Sequence, residues 1–269
     1  MRREKVSRFR SGRWLAACAV AACGVGGALL AAAEDSGATA DAAAVPKVSR
    51  FAPAKDLKAQ TDFYLGRLQE SLAARDDYDE AKQSRVGKDA NTLAVLGLAL
   101  AMHDEDNAVR GKLELVRAAQ SLAASSGDFD GAAQALARAK LAAGGAPAAA
   151  GEKPAWQKVA ALEPLMKQVP IVHGALKRGI EGRFQRQAEA AAGQAATLAA
   201  IAEAARFDTS AVKDPADAGP WRRYCAEMRD AAGEVNSAAH AGDQAAARAG
   251  LVRLAKSCDA CHAAFRREN

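Results

Sequence analysis

Five residues near the C-terminal end carry the densest chemistry in the chain: Cys258-Asp259-Ala260-Cys261-His262. On a helix, residues three and four apart share one face, so Cys258, Cys261 and His262 project together within roughly 100° of its circumference. Two thiols at that spacing can form thioethers with the vinyl groups of a porphyrin while the neighbouring imidazole reaches the iron, and this is the attachment pattern of c-type haem. Other chemistries of the same residues fit less well. A Cys-x-x-Cys pair in thiol–disulfide exchange normally opens a helix beside a strand, whereas this one lies deep in a helical pattern. A structural zinc site wants four ligands, and no second Cys-x-x-Cys pair accompanies this one.

The elements that position these residues are helices. Half of the 269 residues are hydrophobic but only 5% are aromatic, and alanine makes up the difference. Alanine loses no side-chain entropy in a helix, while the β-branched and aromatic residues that suit strands are scarce. An all-α protein follows, and its pattern predicts two tandem antiparallel four-helix bundles. In the second half, Val159, Leu162, Met166, Val169, His173, Leu176 and Ile180 alternate at three and four residues. Phe184 to Ile201, Trp221 to Ala239 and Leu251 to Phe265 repeat the alternation, which gives each helix one apolar stripe and the four a common seam. Pro164 and Pro170 interrupt the first of them; one suits a first turn, and the other should kink or end the helix. In the first half, helices are expected near residues 56–75, 79–103, 106–125 and 128–143. Asn91 to Leu96 aligns with Ala196 to Ile201, Gly127-Asp128 with Gly242-Asp243, and Ala139-Lys140 with Ala255-Lys256. Matches in a common order at a near-constant offset indicate a duplication. The first copy, residues 55–143, holds no Cys-x-x-Cys-His, so one haem per chain is expected. Residues 144–153, rich in Gly and Pro, read as the linker to the second bundle, residues 154–269.

The start of the chain has a different character. Residues 1–13 carry six basic side chains against Glu4, Trp14 to Leu30 carries no charge, and Ala31-Ala32-Ala33 precedes Glu34. Such a basic, then apolar, then small-residue order describes a secretory signal peptide over 1–33, cut after Ala33. An uncleaved anchor, or a lipoprotein with Cys23 as its lipidated end, is the minor alternative. Residues 34–54 read as a flexible lead-in. The formal charge of +5 belongs entirely to the signal, since the chain from Glu34 onward carries 31 residues of each sign. A nucleic-acid partner is therefore not expected. Export to the periplasm or an equivalent space agrees with covalent haem, which is attached outside the cytoplasm.

The ending Cys258-Asp259-Ala260-Cys261-His262-Ala263-Ala264-Phe265-Arg266, on the last helix of a bundle, resembles cytochrome c′ and, more broadly, the class II c-type cytochromes, whose motif is C-x-x-C-H-x-x-Y/F-R/K. The resemblance covers residues 154–269 well and 55–143 faintly through the repeat. It implies one covalent haem c, with Cys258 and Cys261 as thioether anchors and His262 as the proximal iron ligand. It also implies that Phe265 and Arg266 lie on the proximal side. In the family the opposite haem face meets the first helix, which makes Met166 the candidate distal ligand or distal-face residue. His173, seven residues on, is a weaker distal candidate. Phe265 in place of Tyr removes a hydroxyl. Members often dimerise through their first two helices, so a homodimer is one implied partner; the first half of this chain could take that surface instead.

An iron with one protein ligand can bind NO or CO or pass an electron, and a second, methionine ligand favours electron transfer at a higher potential. The expected function is accordingly an exported mono-haem cytochrome for electron transfer or gas binding, not an enzyme, with its redox partner unspecified by any residue. Two other readings stand beside it. One is a haem peroxidase, for which His173 is the one available acid–base group. The other is an interaction protein that docks through its haem-less half. Cys225 and Trp221 are expected in the core of their helix, His103 at a helix end and His240 exposed.

Overall fold

Alternating three- and four-residue spacing of Ala and Leu gives each long segment an apolar stripe, and the segments fold as helices that bury it. The computed structural model describes residues 46–147 and 152–266, except the side chain of Gln83, and all regular structure in them is helical. The expected signal over 1–33, Cys23 and the first part of the lead-in lie outside the described residues.

The first group comprises α1 (Ala54–Ser71), α2 (Arg75–Ala81), α3 (Gly87–Ala101), α4 (Glu114–Ala124) and α5 (Phe129–Ala143). A π-turn at Lys82–Val86 joins α2 to α3, so the single helix expected over 79–103 is a helical run with one wide turn. The second group comprises α6 (Leu162–Glu181), α7 (Phe184–Ala205), α8 (Ala218–His240) and α9 (Gln244–Phe265). The two aligned Gly-Asp pairs do the same work in both groups. Asp128 Oδ2 accepts from Gly131 N at 3.0 Å at the start of α5, and Asp243 Oδ1 accepts from Ala246 N at 2.9 Å at the start of α9. Each satisfies a backbone donor that the first helical turn leaves open.

Three expectations need correction. The helix expected over 106–125 begins only at Glu114, because Asn107 bonds locally to Leu100 O and Val109 N, and Gly111 turns through a positive φ of 75°. Such side-chain bonds to nearby backbone compete with helix formation. The lead-in is not loose over its described part. Val48, Phe51 and Ala52 are buried, and Ser49 and Ala54 are held by Asp104 and Glu105. Val159, expected in the first helix of the second half, instead sits buried in a non-helical strap that precedes α6. The strap is pinned by Gln120 Nε2 to Val159 O at 3.0 Å, by Ala161 N to Asn91 Oδ1 at 2.8 Å, and by Trp156 stacked on Phe207 at 6.3 Å. Of the two prolines, Pro164 falls in the first turn of α6, and Pro170 stands inside a helix that continues to Glu181. The missing N–H of Pro170 leaves the carbonyl of Met166 without its intrahelical donor.

Within the first group α1 neighbours α3, α3 neighbours α4, α4 neighbours α5, and α5 returns to α1. The second group repeats this with α6, α7, α8 and α9. Contacts between the groups run α1 to α7, α3 to α6 and α3 to α7. Exchanging the two groups maps this set of neighbours onto itself, as a duplicated chain would. One continuous apolar core spans both groups, and α3 and α7 at its centre are buried on nearly every face. Polar pairs also cross between groups: Gln168 Nε2 donates to Tyr64 Oη at 3.0 Å, Thr197 Oγ1 to Gln60 Oε1 at 3.1 Å, and Asn236 Nδ2 to Asp56 Oδ2 at 2.6 Å.

Candidate functional site

The last helix is set in place by its neighbour. A Cβ at Gly250 would lie 2.8 Å from Val235 Cγ2, so the absent side chain lets α9 approach α8 closely. Ala247, Leu251 and Leu254 are buried and fix which face of α9 points inward. One, two and three turns after Leu254 the same face carries Cys258, Cys261 and Phe265, all half-buried, while His262 and Arg266 are exposed at its flank.

Cys261 and Phe265 pack against a small apolar cluster separate from the main core. Its buried members are Ala205 at the end of α7 and Trp221 and Cys225 at the start of α8, and Leu162 and Met166 of α6 close it from the other side. Trp221 donates its indole N–H to Ala205 O at 2.9 Å, which satisfies the ring's one polar atom inside the cluster. The same indole meets Phe265 edge-on at 5.3 Å, and Tyr224 meets it at 6.1 Å. Four helices thus converge where the motif ends. Of the residues singled out from sequence, Met166, Trp221, Cys225, Cys261 and Phe265 are brought together; Cys258 lies one turn away, and Arg266 points to solvent.

The thiols are shielded. Burial pushes Cys261 up to about 11, with Cys258 beside it adding to the rise, and lifts Cys258 and Cys225 above the ordinary thiol range as well. At neutral pH all three are thiols rather than thiolates. His173 stands half-buried two turns along α6 from Met166, with no partner for its Nε2. Burial and Lys177 hold it below the ordinary histidine value, while Asp259 of α9 pulls the other way. An unpartnered buried nitrogen is uncommon. Cys261 and Phe265 thus reach an apolar cluster that Met166 of α6 also lines, with Cys258 one turn away and the imidazole of His262 exposed beside them.

A charged group beside this cluster has no full signature in the sequence pattern. Glu203, fully buried, accepts from Arg206 Nη1 at 2.9 Å and from Arg229 Nη1 at 2.6 Å, and Arg229 Nε donates to Asp230 Oδ1 at 2.8 Å. The Glu203–Arg206 spacing of three was visible; the pairing with α8 needs the fold. His103, expected at a helix end, is buried and structural: its Nε2 lies 2.8 Å from Ala52 O, and its Nδ1 accepts from Glu105 N. His240 ends α8 in an exposed position, yet its Nε2 reaches Asp56 Oδ2 at 2.7 Å.

An open cavity of about 800 Å³ lies elsewhere, along α8 and the start of α9, lined by Arg50, Phe51, Arg229 and Glu234 among others. Among the described residues no group of three or more His, Cys, Asp and Glu is arranged to hold a bare metal ion, and no helix is long and apolar enough to cross a membrane. No family model, no curated protein and no solved structure matches the chain.

Proposed function

We propose that the chain is an exported mono-haem c-type cytochrome that transfers electrons or binds small gases such as NO and CO, built from two four-helix bundles of which the second holds the haem. The observation that carries this reading is the Cys258-x-x-Cys261-His262 sequence on α9, with Cys261 and Phe265 packed into a cluster that Met166 and Trp221 also line. In the proposal Cys258 and Cys261 hold the haem through thioethers, and His262 binds its iron. When bound, the haem supplies a one-electron couple and, where the sixth position is open, a site for a diatomic ligand. The chain's residues do the rest. Met166, which lines the same cluster from α6, would offer its thioether to a bound haem, and Trp221 and Phe265 would keep water from the cluster.

A peroxidase is the second reading, favoured by the unpartnered Nε2 of His173 on the same helix as Met166. It predicts peroxide turnover that falls in His173→Gln, whereas the electron-transfer reading predicts no dependence on His173. An absorption spectrum of the reduced, purified protein tests the main reading first: a c-type haem signature is expected, and its absence overturns the proposal.

A further inference from the structure

Helices α8 and α9 run antiparallel in a register fixed by several pairs. Val235 faces Gly250, Glu234 pairs with Arg253, and Trp221 meets Phe265 at 5.3 Å. Cys225 follows Trp221 by one turn, and Cys261 precedes Phe265 by one turn. The next rung of that register therefore sets the two cysteines opposite each other. Both belong to the apolar cluster that Trp221 and Phe265 close. Cys225 is a buried free thiol that the haem reading leaves without a task.

We propose that in the haem-free chain Cys225 and Cys261 form an interhelical disulfide that ties α8 to α9 and withholds Cys261 from haem attachment until it is reduced. The withholding rests on the function proposed above; the disulfide does not. The two thiols lose two protons and two electrons as the S–S bond forms, and a low-molecular-weight or protein disulfide takes them up as it is cleaved to two thiols. The competing bridge lies within the motif. On a formed helix, residues three apart keep their Cβ atoms about 5–6 Å apart, while a disulfide needs roughly 3.5–4.5 Å. Bridging Cys258 to Cys261 would thus distort α9, whereas Cys225 and Cys261 approach from separate helices that can each adjust.

Peptide mapping decides between them. The haem-free full chain is incubated with oxidised glutathione, its remaining thiols are alkylated, and it is digested with trypsin. Cleavage at basic residues separates Tyr224–Arg229 from Ser257–Arg266. The expected product is these two peptides joined, with Cys258 alkylated and the far-ultraviolet helical signal unchanged. Cys258→Ala keeps the joined product, and Cys261→Ala or Cys225→Ala loses it entirely. A bridge inside Ser257–Arg266, full alkylation of Cys225, Cys258 and Cys261, or a joined product that survives Cys261→Ala overturns the proposal. A joined product in a chain that never takes up haem upholds the disulfide and overturns the haem reading alone. Where haem is attached, Cys225→Ala raises the haem-loaded fraction obtained without added reductant; an unchanged fraction overturns the withholding.

Discussion

Under the proposed function, Met166 is the residue on which the behaviour of a bound haem iron would turn. It stands half-buried in the cluster that Cys261 and Phe265 complete, so a bond to iron would make the ferric protein low-spin, and Met166→Ala would convert it to high-spin. A spectrum unchanged by the substitution would show that the methionine only fills space, as buried methionines generally do. Away from the site, Asp89 gives a pH-dependent signature. It is fully buried, its Oδ2 accepts from Arg67 Nε at 2.9 Å, and its Oδ1 has no partner. Burial outweighs Arg67 and pushes the carboxyl up to about 6 from an ordinary 3.8. The folded chain holds this proton more tightly than the unfolded one, so the group's contribution is fully present below about pH 4 and is lost as pH rises toward 6. The loss is on the order of 3 kcal/mol. Asp89→Asn should flatten that part of the stability profile measured by urea unfolding; an unaltered slope between those pH values would contradict the assignment. The thiol pair and imidazole were legible because their spacing is local. Asp89 with Arg67, Glu203 with Arg229, and Asp56 with Asn236 were not, because each joins helices whose proximity only the fold supplies.

At the level of elements, helix type followed from spacing, and boundaries failed where side chains bond their own backbone, as Asn107 does ahead of α4. Glycines discriminate further between contacts that matter and contacts that yield. A Cβ at Gly250 would press on Val235 Cγ2 at 2.8 Å and on its backbone nitrogen at 3.4 Å, so α8 and α9 would have to part. Gly250→Ala should cost about 1–3 kcal/mol as an overpacked contact. A Cβ at Gly193 would meet the amide end of Gln60 at 2.6 Å, a flexible group that can swing away. Gly193→Ala loses some of the Gln60–Thr197 bond but gains up to about 1 kcal/mol of helix propensity, so it should be near neutral. Thermal unfolding of the pair checks this, and equal losses in both would contradict the packing argument.

Across the whole molecule, the duplication seen in sequence corresponds to a neighbour pattern that repeats between the two helical groups. The sharing of one core was not legible. α3 and α7 carry apolar or small residues on every face, and sequence alone does not say that each covers the other. A fragment of residues 152–269 would expose the faces of α6 and α7 that the first group buries, along with Gln168 and Thr197. It should therefore unfold or aggregate alone and recover when the first group is supplied in trans; a monomeric, cooperatively folding fragment would contradict a shared core. Covalent attachment of one haem to α9 is the core of the proposed function. Its direct test is the mass of the purified protein under denaturing conditions, compared with that of Cys258→Ala/Cys261→Ala. An excess of one haem that survives denaturation and disappears in the double variant is expected. A mass equal to the bare polypeptide, or haem that dissociates on denaturation, would contradict it.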